Sequence, residues 1–148
     1  MPPVVLDDHL LRDVLAGDRS PDLGGLATSL ATTGLWLFRL SSAWASPEVV
    51  GKLTAPVAAL PADQQDLFRA RLVALPDEIE VLCLRQLAWP MALLQHRHRI
   101  EGRPLSAAMA EALSATEALG ASIAVSSHDV GPHLKAAAEH DRVAFHIV

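Results

Sequence analysis

The sequence contains a single cysteine, Cys83, among 148 residues. One cysteine excludes an internal disulfide and a zinc site built from several thiolates. Its neighbours Val81, Leu82 and Leu84 are apolar, so we expect a buried, unreactive thiol. The chain also lacks an uninterrupted apolar run of about 18 residues and a leader in which basic residues precede an apolar stretch. We therefore expect a soluble, cytoplasmic protein with no membrane contact.

Motifs of nucleotide binding and acyl transfer are also missing. There is no glycine-rich phosphate loop, and Ser126-Ser127 lacks the context of a nucleophilic serine at a strand-to-helix turn. These absences argue against a nucleotide-binding fold of the phosphate-loop type and against a catalytic triad. The formal net charge of −5 provides no general attraction to nucleic acid, so any RNA binding must come from locally clustered basic residues.

What is present is a globular composition, with 51% hydrophobic and 20% charged residues. Short apolar runs predict strands at residues 4–6, 123–125 and 143–148. Residues 79–84 fit either a strand or the start of a helix, which Pro90 would kink or interrupt. Amphipathic helical patterns lie between these runs. The alternation predicts an α/β fold: a helix-rich single domain over residues 1–148, with a short parallel sheet in an α/β/α sandwich.

Capping residues predict where several of these helices begin and end. Asp8 is expected to cap the first helix, and Thr32 or Thr33 the second. Ser106 is expected to cap a helix that ends before Gly120, where a left-handed residue fits. The glycine- and proline-containing segment at residues 18–25 is expected to be a loop.

Carboxylates follow two of the predicted strands. Asp7 and Asp8 come directly after the first strand, and Asp129 follows the strand at residues 123–125. The carboxyl ends of parallel strands meet at one edge of a sheet, where ligands and metals collect. Carboxylates there suit Mg²⁺ or Mn²⁺. If only one of the first pair points into the site, we expect Asp7 to be the ligand and Asp8 the cap. The alternative is that all three are caps and turn residues.

A polar, basic segment ends one of the later helices. His96 and His98 are two residues apart, so their rings point to different sides of a helix and do not chelate. With Arg97 and Arg99 beside them, we expect a solvated face or an RNA-contacting patch.

Aromatic residues cluster in the second predicted helix, at Trp36, Phe38 and Trp44. Such a cluster resembles a base-stacking platform, but core packing or a dimer face is the more common use. Exposed aromatic and leucine faces would favour a homodimer.

The two ends of the chain resemble the PIN-domain family, compact metal-dependent nucleases that include toxins of bacterial toxin–antitoxin pairs. Residues 5–11 are similar to the family's opening strand, catalytic Asp and apolar helix, which maps Asp7 onto the first metal-binding acid. Residues 105–121 and 123–129 are similar to the late helix, Leu-Gly-Ala turn, strand and acidic loop, with Asp129 as the last acid.

The same comparison shows two departures. The family's third acid falls on Met109, and the nearest carboxylate, Glu111, lies about 200° further around the helix and faces elsewhere. The second-helix acid is absent from residues 33–40, and Glu48 is the one nearby substitute. The comparison therefore indicates a PIN-like fold with a reduced active site.

The resemblance implies a Mg²⁺-dependent endoribonuclease and, because the family includes such toxins, the toxin of a type II toxin–antitoxin pair with an antitoxin protein as partner. Asp7 and Asp129 would be catalytic and bind the metal, and Asp8 would assist. Arg97, Arg99 and Lys135 would contact RNA phosphates. The alternatives are a catalytically inactive PIN-like module that binds RNA or protein, and an unrelated small α/β protein.

Overall fold

The structure is a computed structural model that describes residues 2–17, 29–46 and 50–148. The expected loop at residues 18–25 and the substitute acid Glu48 lie outside these ranges. The described elements run in the order β1 (Val4–Leu6), α1 (Asp8–Leu15), β2 (Leu30–Thr33), α2 (Gly34–Ala45), α3 (Ala55–Ala58), α4 (Ala62–Val73), β3 (Ile79–Leu82), α5 (Leu84–Ile100), α6 (Ala107–Leu119), β4 (Ser122–Val125), α7 (Pro132–His140) and β5 (Phe145–Ile147).

The five strands form one parallel sheet in the order β3-β2-β1-β4-β5. β1 is the central strand: Val4 pairs with Leu30 of β2 on one side and with Ser122 of β4 on the other. A parallel strand in this position is covered on both faces, which explains why the whole of β1 is apolar and buried. The α/β/α sandwich predicted from the sequence is confirmed.

The side chains of β1 alternate between two apolar layers. Val5 faces a core shared with α5, α6 and α7. Val4 and Leu6 face the opposite side, where they pack with Leu10 of α1. On that same side α1 also packs against α2 and α4, around the fully buried Phe68. Helices therefore cover both faces of the sheet, and the loops at its carboxyl edge extend from this packed core.

Most predicted elements are confirmed, and β2 is the strand that the sequence did not reveal. The run Leu-Ala-Thr-Thr has neither a continuous apolar character nor a clear alternation. Its last residue, Thr33, does cap α2 as expected, since its hydroxyl accepts a hydrogen bond from Trp36 N (3.2 Å). Ser106 caps the start of α6 and the left-handed Gly120 follows its last residue, both as expected.

Three further expectations have clear outcomes. Helix α5 continues through Pro90 without interruption. Cys83 is exposed, so the expectation of a buried thiol is wrong: it follows β3, an edge strand that pairs with β2 alone in the described sheet. Trp36 is buried and Trp44 packs on Phe68 with 5.0 Å between ring centroids, which confirms core packing for these two rings. None of the helices in the described ranges is long and apolar enough to cross a membrane.

Candidate metal centre

The carboxyl ends of β1 and β4 form the point at which the chain reverses its direction of progress across the sheet. From β1 the chain moves outward through β2 to β3, and it then returns to β4 on the other side of β1. The residues after β1 and after β4 consequently line one crevice, the position where open α/β sheets bind ligands. The backbone N–H of Asp7 donates to Ala124 O (3.1 Å) and closes the base of this crevice.

Asp7 joins the two loops. It has extended backbone angles and caps α1, with Oδ1 accepting a hydrogen bond from Leu10 N (2.8 Å). Its other oxygen, Oδ2, accepts from Ser126 N (2.9 Å), across 119 residues of sequence. Burial raises the pKa of Asp7 to about 7, although the two N–H donors act to lower it. With both oxygens engaged, Asp7 holds the crevice together.

The expectation that Asp8 caps the helix is wrong, because α1 begins one residue earlier than the sequence suggested. Asp8 is the first helical residue and is buried. Oδ1 accepts a hydrogen bond from His9 N (3.0 Å), whereas Oδ2 has no hydrogen-bond partner within the described part of the chain. The nearest cation is Arg39 of α2, with Nε at 3.3 Å from Oδ2. A buried carboxylate oxygen without a hydrogen bond is costly, so this atom is suited to accept a cation.

His9 and Asp129 complete the group. Ligand atoms of Asp8, His9 and Asp129 all lie within 4.8 Å of one another, and the three residues could hold a metal ion. The His9 Nε2 to Asp129 Oδ2 distance is 3.7 Å. Two of these residues are buried on α1, whereas Asp129 is about half exposed on the loop after β4. The predicted meeting of the first loop with Asp129 is thus confirmed, with Asp8 rather than Asp7 in the group.

His9 is held as a neutral ring. Burial lowers the pKa of His9, and the nearby charge of Arg12 lowers it further, against the opposing effect of the carboxylates. Arg12 Nη1 lies 3.4 Å from His9 Nδ1. Because arginine can only donate, Nδ1 accepts and the ring proton lies on Nε2, towards Asp129. Ligation of a metal through Nε2 would require that proton to move and the contact with Arg12 to break.

A cleft of about 550 Å³ opens beside this group. Its walls come from α2 and from the turn before α3, and they include Arg39, Ser42 and Lys52 together with His9 and Asp129. The cleft is therefore lined by two members of the three-residue group and by two cations. Neither Arg39 nor Lys52 was a candidate in the sequence, because each is distant from the acids along the chain.

Glu111 occupies a position that the sequence did not predict. It is buried, and its Oε1 accepts a hydrogen bond from Leu35 N (2.7 Å) at the start of α2. It thus faces the carboxyl edge of β2, next to the crevice, but outside the three-residue group. Met109 points away from it, with its terminal methyl against Gly131. The one signal for this role was an acid within the otherwise apolar first half of α6.

The basic segment at the end of α5 lies at the opposite edge of the sheet. Both terminal nitrogens of Arg97 bind Asp141 (2.8 and 2.9 Å), which follows α7 at the amino edge. His98 is completely buried and contacts the same carboxylate, so the expected solvated face is wrong for this residue. Arg97 and the neighbouring Arg99 therefore cannot contact a phosphate bound at the acidic group. Lys135 lies near Glu139 (3.6 Å) on α7 and is likewise not part of the cleft.

No protein-family model matches this sequence, and no curated protein matches it. The resemblance to PIN domains rests on the quoted residues and stays a prediction.

Proposed function

We propose that this protein is a metal-dependent phosphodiester hydrolase that acts on RNA, with one divalent ion held by Asp8, His9 and Asp129. The observation that carries the proposal is the buried Oδ2 of Asp8, which lacks a hydrogen-bond partner in the described ranges and lies in a group of three metal-ligand side chains. The group stands at the reversal point of a parallel sheet, where the fold leaves a crevice for a ligand.

The donor set fits a small divalent cation. Two carboxylates favour Mg²⁺ or Mn²⁺, and an imidazole nitrogen shifts that preference towards Mn²⁺. An ion bound there would polarise the phosphate and lower the pKa of a bound water for in-line attack. Asp8 and His9 are fixed by α1, whereas the exposed Asp129 can adjust to the ion and the substrate. Asp7 becomes a positioning residue, since it fixes the loop of Asp129 through Ser126 N.

RNA is the proposed substrate for two reasons. The cleft beside the acidic group carries Arg39 and Lys52 on its walls, in a chain whose formal charge is −5. Concentrating cations in one cleft is how an acidic protein binds a polyanion. The PIN-like termini add the reaction class. They also extend the proposal to a cytoplasmic, homodimeric toxin of a type II toxin–antitoxin pair, for which expression without an antitoxin should arrest growth.

The direct test is Mn²⁺ binding by calorimetry, with Asp8→Asn and Asp129→Asn as the informative variants and Asp63→Asn as the control. Asp63 is an exposed acid in the first turn of α4, remote from the group. We expect saturable Mn²⁺ binding, which Asp8→Asn weakens at least tenfold because it removes one charged ligand. Cleavage of a single-stranded RNA should be lost in the same variant. Mn²⁺ binding and cleavage that survive in Asp8→Asn would refute the proposal.

A second candidate, a catalytically inactive PIN-like module, has its own support. Arg39 lies against Asp8, so an arginine already compensates this buried acid without an ion, and Arg12 lies against the neutral His9. Helix α5 also exposes Trp89, Leu93 and Ile100, a face suited to a protein partner. Absence of Mn²⁺ binding together with RNA or protein binding would favour this function.

A further inference from the structure

Helix α2 presents a base where the resemblance led us to expect an acid. The sequence of α2, Gly34–Ala45, contains no carboxylate, and its one charged residue is Arg39. The Nε of Arg39 lies 3.3 Å from Oδ2 of Asp8 without the geometry of a hydrogen bond. Half of the Arg39 side chain is exposed, whereas Asp8 is buried. Arg39 thus reaches from the cleft wall onto an acid that the proposed metal ion needs.

This inference rests on the proposed function. We propose that Arg39 is a phosphate-binding residue of the cleft and is held on Asp8 until a divalent ion takes its place. The released guanidinium binds a phosphate group of single-stranded RNA within the same cleft.

Competition for one oxygen atom is the physical basis. A guanidinium and a metal ion cannot both occupy the first contact of Asp8 Oδ2, and their like charges repel. The metal ion, with its higher charge and its further contacts to His9 and Asp129, is the stronger partner. Once displaced, the half-exposed Arg39 side chain is free to move within the cleft. Its planar fork of N–H donors matches two oxygens of a phosphate.

Lys52 provides a matched comparison. It lies on the wall of the same cleft and carries the same charge, but it forms no ion pair with Asp8 among the described residues. Replacing either residue by Gln removes one positive charge beside the acidic group. Any effect on metal binding beyond that of Lys52→Gln therefore reports the specific contact between Arg39 and Asp8.

The first measurement is Mn²⁺ binding without nucleic acid, by calorimetry, on the full chain. We expect Arg39→Gln to bind Mn²⁺ about fivefold more tightly than the wild type, the value of one partly exposed ion pair. Lys52→Gln should change the affinity by less than about twofold, because it removes only a screened charge. Thermal melts establish that both variants are folded.

The second measurement is binding of a single-stranded RNA oligonucleotide by fluorescence anisotropy with and without Mn²⁺, with a gel of each sample to establish that the oligonucleotide is still intact. Without Mn²⁺, Arg39 is engaged with Asp8, and Arg39→Gln should change the affinity by less than about twofold. With Mn²⁺, the same variant should bind about fivefold more weakly, because the wild-type residue is then on the phosphate. Lys52→Gln should weaken binding equally under both conditions. Coupling between the two ligands must be reciprocal, so either ligand can be titrated first.

The outcomes separate this inference from the proposed function. Equal Mn²⁺ affinities in Arg39→Gln and Lys52→Gln, where the wild type does bind Mn²⁺, would overturn the inference and leave the metal site standing. An equal loss of oligonucleotide affinity with and without Mn²⁺ in Arg39→Gln would also overturn it. Failure of both wild type and Arg39→Gln to bind Mn²⁺ would refute the two proposals together. Mn²⁺ binding by Arg39→Gln alone would support the inference, with a contact stronger than expected.

Discussion

Asp141 lies at the centre of a polar network at the amino edge of the sheet. It accepts hydrogen bonds from Arg97 and His98 and contacts His140 at 3.1 Å. The other ring nitrogen of His98 accepts from Arg103 Nε (2.9 Å). Because arginine only donates, His98 must carry its proton on Nε2 and cannot change tautomer to suit a new neighbour. Replacing Asp141 by Asn therefore leaves a single acceptor oxygen for Arg97 and His98 and places an amide N–H₂ beside their donor groups.

The magnitude follows from the burial of each partner. His98 is completely buried, and a buried donor without an acceptor costs about 1–3 kcal/mol. The side chain of Arg97 is 45% exposed, so solvent screening limits its pair with Asp141 to about 1 kcal/mol or less. We expect Asp141→Asn to lower the free energy of unfolding by about 3 kcal/mol, which for a chain of this size lowers Tm by roughly 6–12 °C.

Urea unfolding followed by circular dichroism measures this change, with Asp66→Asn as the control. Asp66 forms an ion pair with Arg69 at 3.8 Å, but its side chain is 75% exposed, so its loss should cost less than about 0.5 kcal/mol. If Asp141→Asn and Asp66→Asn were equally stable, the reasoning from buried donors would be refuted.

The same carboxylate predicts a dependence on pH. Burial alone would raise the pKa of Asp141, but hydrogen bonds from Arg97, His140 and His98 together lower it well below its ordinary value. Its contribution to stability is therefore complete above the unfolded pKa of about 3.9 and is lost as the pH falls through the lower folded value. The stability difference between wild type and Asp141→Asn should narrow as the pH falls below about 4.

Two further predictions concern Asp7 and Phe68. The pKa of Asp7 is about 7 in the folded protein, in place of 3.8. The free energy of unfolding should therefore be up to about 4 kcal/mol larger below pH 4 than above pH 7, and this difference is lost as the pH rises through 7. Urea unfolding at pH values from 4 to 8 measures this dependence, which should be absent in Asp7→Asn. If the variant showed the same dependence of stability on pH as the wild type, the raised pKa of Asp7 would be contradicted. Phe68→Ala should lower the free energy of unfolding by about 3–5 kcal/mol, because the ring is fully buried beneath Trp44. The exposed Phe38 is the control, and similar losses in the two alanine variants would contradict this packing.

Features set by neighbouring residues could be predicted from the sequence. β1 and β4 are apolar runs between turn residues, and Ser106 and Gly120 act locally as a cap and a left-handed terminus. The position of Asp129 near the first loop followed from the parallel sheet alone. β2 was missed because Thr33 both ends the strand and caps the next helix, and only its second role leaves a pattern.

The details of the site depend on offsets too fine for a pattern to resolve. The start of α1 differs from the expected position by one residue, which turns each side chain by about 100° around the helix. That offset exchanges the roles of Asp7 and Asp8. Arg39 and Lys52 reach the acidic group only through the packing of α2 and the turn before α3, and the sequence contains no local sign of that approach.

The central place of β1 also has a consequence for the order of assembly. The residues of β1 are synthesised before those of β4, yet the hydrogen bond from Ser126 N to Asp7 Oδ2 joins positions 119 residues apart. At about 5–20 residues per second, the ribosome needs on the order of ten seconds to supply the partner strand. Until then one edge of β1 has no neighbouring strand. Such distant pairings are slow to form, and no incomplete chain that lacks β4 can bring Asp129 to Asp8 and His9.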